Sequence, residues 1–446
     1  SAAPEEIAKR QPAVTELAGK LDWRQHLELT AMTVEGKSLD GFCHWSEEDR
    51  VTRLRSRMAR VICLWPVATL ILSVALWLSG LRQIAVLVVG IQAAGALLLA
   101  KPLQRRIMAL LGWETQIAVS KSLVDVVERE SFEATLLAEA KGTLGMEQGI
   151  PATGCLGRLE SAVEWLAIRH NPFLHIPLHL LFLWDVQWMR VVEEWRARHG
   201  AAVRKWLGMV AQLEALNSLA VIRYEHPDWA MPLVSSENSK PLLAEGVGHP
   251  LLPDAARVTN DFQIDRPGCV ALITGSNMSG KSTFMRSIGI NLVLAGAGAP
   301  VCATRFECVK MSLYTSMRIA DDLRSGVSSF YAELLRIKMI VDAAKDEQKP
   351  VMYLIDEIFR GTNSGDRIAG ATAVLKTLSQ GPAVGLVSTH DLELGKLEAA
   401  QPDKFTNYHF TERYTENGIE FSYKILPGPS TTTNARHLIR LVGIDV

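Results

Sequence analysis

Lys281, Ser282, Asp356, Glu357 and His390 are the residues of this 446-residue chain whose types and surroundings fit phosphoryl chemistry. The first two close the run Gly275-Ser276-Asn277-Met278-Ser279-Gly280-Lys281-Ser282, a GxxxxGKS phosphate loop, with Thr283 directly behind it. Glycines let backbone N–H groups wrap phosphate oxygens, and a helix starting at the loop adds positive potential. In such a loop the lysine reaches the β- and γ-phosphates of ATP, and the serine hydroxyl ligates Mg²⁺. Asp356 and Glu357 end the apolar run Val351–Ile355, a Walker B pattern. There Asp356 is expected to hold Mg²⁺ through a water, and Glu357 to orient or deprotonate the attacking water. His390 stands at the tip of a third apolar run, Ala383–Ser388, where an imidazole suits contact with a γ-phosphate oxygen.

The elements that must position these groups are legible around them. Cys269–Thr274 is a short buried-strand pattern, and a helical pattern follows from Thr283, so the glycine loop has the strand–loop–helix context it requires. Further on, Asn407–Tyr414 and Ile419–Ile425 alternate around Glu416-Asn417-Gly418, a hairpin signal, and Thr432–Leu441 predicts a closing helix.

Upstream of the loop the chain reads as helical. Residues 1–60 form a helical segment, of mixed polarity over 1–50 with a turn near Gly36. Val61–Ser79 and Ile84–Ala100 are then almost wholly apolar, separated by Gly80-Leu81-Arg82-Gln83. Each run approaches the ~20 residues that cross a ~30 Å hydrocarbon layer. Arg53, Arg55, Arg57 and Arg60 precede the first run, and Lys101, Arg105 and Arg106 follow the second. By the positive-inside tendency, residues 61–106 are expected to be a transmembrane hairpin with both ends cytoplasmic and Arg82 at its tip. Gly90 and Ala94 offer a small-residue face for the two helices. The competing reading is a buried hairpin inside a soluble protein.

Residues 107–245 predict a helical core or lever region. One helical segment runs from about Met108 to Lys141, and another from about Gly157 to Leu219 with breaks near Asn171-Pro172 and at Pro177. Phe173–Trp188 is apolar but short, which fits a core or interfacial helix better than a third membrane segment. Arg190–Leu216 reads as a solvated lever or coiled arm.

Composition narrows the partners. With 47 basic and 48 acidic residues the net charge is -1, so no global basic footprint for nucleic acid exists. Six cysteines without CxxC spacing read as reduced thiols. His175 and His179 lie one helical turn apart, but Pro177 between them and the want of a following acid read against a metal site. The chain opens Ser1-Ala2-Ala3-Pro4 with no initiator methionine, as expected for a fragment.

Taken together the motifs resemble the MutS family of mismatch-repair proteins over about residues 249–443. The run TGSNMSGKSTFMRSIG is similar to that family's phosphate loop, DDLRSGVSSF to its signature loop, IDEIFRGTNSGD to its Walker B and D-loop, and STH to its switch histidine. The resemblance implies an ABC-class α/β P-loop ATPase domain over 246–446 that forms a homodimer, each ATP site completed in trans by the partner's signature loop. It implies that Ser328 contacts the γ-phosphate from the second subunit, that Asn277 acts within the phosphate loop, and that Val258 in the stretch Ala256–Asp261 contacts adenine. Ser276 departs from the family's usual proline, Val327 from a polar residue and Arg367 from a glycine. With the apolar hairpin, the chain resembles a membrane-associated branch without the mismatch-recognition domain; Phe410-Thr-Glu412 lies after the ATPase motifs in an expected strand. The implied function is an ATP-driven dimeric switch acting on DNA. The alternative is a membrane-anchored ABC-like ATPase with a non-DNA partner or a transport-like role.

Overall fold

The computed structural model describes residues 2–33, 38–48, 57–145, 149–235, 240–276, 278–317, 329–346, 349–359, 363–415 and 418–430. The predicted turn at Gly36, Asn277, Ser328, the Glu416-Asn417 turn residues and the closing helix at Thr432–Leu441 lie outside them. The chain divides into two compact units, Glu16–Ser218 and Ser1–Thr15 with Leu219–Val446.

Helices account for the first unit: α1 (Pro4–Gly19, shared between the units), α2 (Leu21–Met32), α3 (Leu39–Glu47), α4 (Arg57–Leu78), α5 (Arg82–Leu111), α6 (Glu114–Arg129), α7 (Thr135–Gly142), α8 (Ala152–Ala167), α9 (Pro172–Phe182) and α10 (Trp184–Glu225). The predicted segment Met108–Lys141 is therefore three helices, broken at Gly112-Trp113 and again after Arg129. α10 is not the solvated lever that its charges suggested as one alternative. Val192, Trp195, Trp206, Met209, Val210, Leu213 and Leu216 are all buried, a stripe at helical spacing that the intervening Arg and Glu residues disguise. α3 meets α10 at Gly200, where a Cβ would stand 2.1 Å from the Ser46 carbonyl oxygen. Ser46 Oγ donates across this contact to Gly200 O at 3.0 Å.

α4 and α5 do form a hairpin. Gly80, at φ 85°, ends α4 in the left-handed region, and Leu81 N bonds back to Leu76 O. The face α5 turns inward is Ala85, Gln92, Ala96 and Leu103, not Gly90 and Ala94, which are exposed. Gln92, the polar side chain within Ile84–Ala100, marks that face. Polar groups line the inside: Thr69 Oγ1 donates to Gln92 Oε1, and Gln92 Nε2 donates to the carbonyls of Leu180 and Leu181 on α9. Large apolar residues face outward instead, among them Ile71, Leu87, Ile91 and Leu98 at 65, 61, 59 and 78% exposure. Among the described residues α5 is the one helix both long and apolar enough to span a bilayer; Leu64–Leu78 and Pro172–Phe182 are shorter apolar helices.

α9 begins where Asn171 Oδ1 accepts from Phe173 N, with Pro172 at its first position. It continues through Pro177, where a break was expected. The chain turns instead at Leu183, whose φ is 52°. This turn brings Asp185 onto both histidines, 2.8 Å from His175 and 3.4 Å from His179. The missing acid of the sequence reading is thus supplied by the next helix.

The second unit holds β1 (Leu233–Ser235), β2 (Leu242–Val247), β3 (Asn260–Ile264), β4 (Val270–Thr274), α11 (Lys281–Ala297), β5 (Arg305–Val309), β6 (Ser312–Ser316), α12 (Ser329–Ala344), β7 (Val351–Ile355), α13 (Ser364–Leu378), β8 (Val384–Ser388), α14 (Lys396–Ala400), β9 (Phe405–Thr415) and β10 (Gly418–Pro427). A small sheet runs β1-β5-β2-β3, and the main sheet runs β10-β9-β4-β8-β7-β6. All main-sheet pairings are parallel except β9 with β10. β4, β7 and β8 are buried at every residue, as strands of a parallel sheet covered on both faces must be. Alternation sorts their side chains: Ala271, Ile273, Met352, Leu354, Val384 and Leu386 join the core under α11, whereas Val270, Leu272, Tyr353, Ile355 and Val387 join the core under α13. Gly385 pairs with Tyr353, and a Cβ there would lie 2.0 Å from the tyrosine ring, so only glycine fits.

Candidate nucleotide site

The site is built at the C-terminal ends of β4, β7 and β8, where a parallel sheet leaves a crevice beyond its strands. β4 delivers the phosphate loop and α11 receives it. Gly275 and Gly280 stand at φ 146° and 107°, and Met278 also enters the left-handed region at 70°. A Cβ on Gly275 would meet Ser279 Oγ at 3.0 Å and Phe410 O at 3.1 Å; one on Gly280 would meet the Tyr423 ring at 3.1 Å. The loop needs glycine for its dihedrals and its close packing alike.

Lys281 is buried at the first turn of α11, and its Nζ donates to the carbonyls of Gly275 at 2.8 Å and Ser276 at 2.7 Å. Burial lowers its pKa, opposed by the facing carboxylates of Glu357, Asp356 and Glu412. Ser282 and Thr283 follow it on the helix. Ser279 Oγ closes the loop by donating to Ser276 O at 2.9 Å.

Across the crevice, Ser388 joins the two acids: its Oγ donates to Asp356 Oδ1 at 2.5 Å and accepts from Glu357 N at 2.8 Å. His390 Nε2 lies 3.0 Å from Glu357 Oε1. Glu357 and Phe359 both adopt positive φ, 57° and 59°, an unfavourable backbone held by its surroundings. Phe359 is that anchor: its N donates to Glu333 Oε1 at 2.6 Å, and its ring packs on Phe330 and against Gly370. Burial raises the pKa of Glu333. Arg367, the departure from glycine, makes a two-pronged pair with Asp391 at 2.7 and 2.8 Å, immediately after His390.

Beside Gly280 and Thr283 opens a cavity of about 400 Å³ lined by Val247, His249, Leu252, Ala256, Val258, Asn260, Phe284, Ser287 and Tyr423. Its volume and mixed apolar lining suit a planar heterocycle. Asn260 fastens it to β10, donating to Tyr423 O at 3.1 Å and accepting from Ile425 N at 2.9 Å.

The structure therefore brings Lys281, Asp356, Glu357 and His390 together and sets Val258 in the adjoining cavity. Sequence reasoning missed Glu412 and Tyr423. Glu412 belongs to Phe410-Thr-Glu412, read as strand alone, yet it accepts a hydrogen bond from Ser276 Oγ in the phosphate loop. No local signal marks Tyr423, which reaches the loop only through the β9–β10 hairpin. For a hard dication, the hydroxyl of Ser282 and the carboxylate of Asp356 are the right donor type, oxygen rather than sulfur or imidazole.

Residues 271–444 match the family model of MutS domain V. That span contains the phosphate loop, Asp356, Glu357 and His390, but not Val258. The chain is 30% identical over 259 residues to the DNA mismatch repair protein MutS of Natronomonas pharaonis, covering 57% of this chain and 29% of that protein. It is 33% identical over 241 residues to DNA mismatch repair protein MutS 2 of Halobacterium salinarum, covering 53% and 27%. Against the DNA mismatch repair protein MutS of Thermus thermophilus the figures are 31% over 252 residues, covering 56% and 30%. The chain thus spans under a third of the length of these curated relatives, and over its C-terminal part it is similar to MutS domain V.

Proposed function

We propose that this chain is a MutS-like ATPase that binds ATP with Mg²⁺, hydrolyses it, and uses the cycle to switch a homodimer between conformations. The observation that carries this reading is the convergence of Lys281, Asp356, Glu357 and His390 at three strand ends around one glycine loop. Lys281 leaves the Gly275 and Ser276 carbonyls to bind phosphate, an exchange favoured because a buried ammonium gains a charged partner. The backbone N–H groups of Gly275–Thr283, with Ser276, Asn277 and Met278 shaping the loop, cradle the phosphates. Ser282 and Asp356 would hold Mg²⁺, which would supply positive charge toward the phosphate oxygens. Glu357 orients and deprotonates the attacking water, and His390, freed from Glu357, donates to the γ-phosphate. Val258 and Tyr423 flank the base, and Ser328 completes the site from the partner subunit.

The helical unit is anchored in a membrane through α4 and α5, with the nucleotide unit on the cytoplasmic side. What supports this is the inverted distribution of side chains: Thr69 and Gln92 are buried while Ile71, Leu87, Ile91 and Leu98 face out. Such an arrangement suits hydrocarbon surroundings and not water. Lys101, Arg105 and Arg106 support a cytoplasmic side for the outer end of α5. DNA is the proposed ligand class because the relatives are DNA mismatch repair proteins. The inverted hairpin favours the second reading, an ABC-like ATPase working on a membrane or protein partner.

The deciding measurement is ATP turnover of the full chain in detergent, with and without duplex DNA, across a salt series. Wild-type turnover that falls by roughly a hundredfold or more in Glu357→Gln, with ATP binding kept, is expected; equal turnover in the variant would remove Glu357 from the mechanism. Stimulation by DNA that collapses with salt supports the DNA reading. Turnover indifferent to DNA supports the second.

A further inference from the structure

The helical unit carries a second set of chemistry-bearing side chains that the nucleotide reading leaves unused. His175 and His179 lie on one face of α9, and Asp185 reaches them from the first turn of α10. Their side chains are 13, 5 and 0% exposed. The imidazoles stack at 5.4 Å between centroids, and the donor atoms of the three side chains lie within 4.8 Å of one another.

His179 decides what the cluster can hold. Its Nε2 lies 3.1 Å from Ala96 O, an acceptor, so that nitrogen carries the proton. In the neutral ring Nδ1 then presents a lone pair, and it points at Asp185 Oδ2 across 3.4 Å. Nδ1 is buried without a hydrogen-bond partner. Two acceptors facing each other in a dry interior are stabilised by a positive centre between them, and a metal ion bonded to both supplies one. A metal ion bonded at ~2.0–2.1 Å sets neighbouring donors about 3.0–3.4 Å apart, which is the spacing at His179 and Asp185. His175 Nε2 stands at hydrogen-bond distance from Asp185 Oδ1, 2.8 Å, a contact that ion binding would open.

The surroundings complete the pattern. A ligating histidine ordinarily donates its other N–H to a carbonyl or carboxylate, as His179 does to Ala96, and a ligating carboxylate is itself hydrogen-bonded, as Asp185 Oδ2 is by Arg169 Nη1 at 3.1 Å. Two imidazoles and a single carboxylate suit a borderline dication; calcium and magnesium would need more oxygen. We propose that His175, His179 and Asp185 form a binding site for a transition-metal dication of the zinc class, with a position left open for water or an anion. The proposal stands apart from the nucleotide reading.

The test is metal analysis of the full detergent-purified chain after loading with Zn²⁺, and visible absorption after loading with Co²⁺. The expected result is about one ion per chain and ligand-field bands of a nitrogen–oxygen site, with affinity at least ~100-fold lower in His179→Ala. His170→Ala, an exposed neighbour, keeps the ion. His179→Cys restores binding and adds a thiolate-to-cobalt charge-transfer band, which a variant that merely misfolds would not show. The proposal is overturned if the wild type takes up no stoichiometric ion, if His170→Ala loses it equally, or if His179→Cys binds Co²⁺ without the new band.

Discussion

The sheet that carries the candidate nucleotide site and the hairpin of α4 and α5 are both written in apolar residues, and they dispose of them in opposite ways. β4, β7 and β8 bury every side chain and leave their polar groups, Asp356, Ser388 and the phosphate loop, at the strand ends. The hairpin turns Leu87, Ile91 and Leu98 outward and keeps Thr69 and Gln92 inside. One rule produces both results: a polar group goes where it finds a partner, and an apolar group goes where water is absent. Hydrophobicity alone does not set the direction; under the proposed membrane reading, the medium around α4 and α5 does.

The largest effect that would sharpen this contrast lies at Lys281, the charge set into the dry side of the sheet. Lys281→Met should weaken ATP binding by a hundred- to a thousandfold in calorimetric titration. The same change should raise the stability of the nucleotide-free protein by roughly 1 kcal/mol at neutral pH. Because burial depresses the folded-state pKa of Lys281, the unfolded chain binds the proton more readily. The stability it confers is full above the unfolded lysine pKa and is lost as pH falls through the folded value. Melts of wild type against variant should therefore converge at high pH and separate below it. Parallel curves would break the reading.

Next in size is a charge on the outer face of the hairpin. Ile91→Asp should cost about 2.5–3.5 kcal/mol if that face lies at the centre of a bilayer, and should shift the protein out of the membrane fraction on flotation. In water the same substitution at an exposed position would be neutral within about 0.5 kcal/mol, and that outcome would abolish the contrast. The smallest expected effect is inside the hairpin. Gln92→Leu removes the bonds to Thr69 and to the α9 carbonyls and should destabilise by about 0.6–1.7 kcal/mol in detergent unfolding. A stabilised variant would show that the buried amide is not a tie between these helices.

The glycine loop, the paired acids and His390 were legible because each is a local requirement: φ values only glycine accepts readily, a strand ending in carboxylates, an imidazole at a strand tip. The alternating hairpin at β9 and β10 was legible for the same reason. Elsewhere local signals misled. The charges of α10 hid a stripe of buried Trp195, Trp206 and Leu213. Pro177 suggested a break that the helix absorbed, and Gly90 and Ala94 suggested a packing face where Gln92 was the better clue.

By itself, then, the sequence determined the glycine loop and strand-end acids of the C-terminal part and the apolar length of the hairpin, since both depend on residues adjacent in the chain. Only the tertiary structure decided that Ser388 would link Asp356 to Glu357, that Glu412 would reach Ser276, that Tyr423 would wall the cavity, and that Asp185 would meet His175 and His179. The physical reason is shared. Each of these contacts depends on how strands register or helices turn against one another, and a side chain carries no mark of a partner that packing alone brings near.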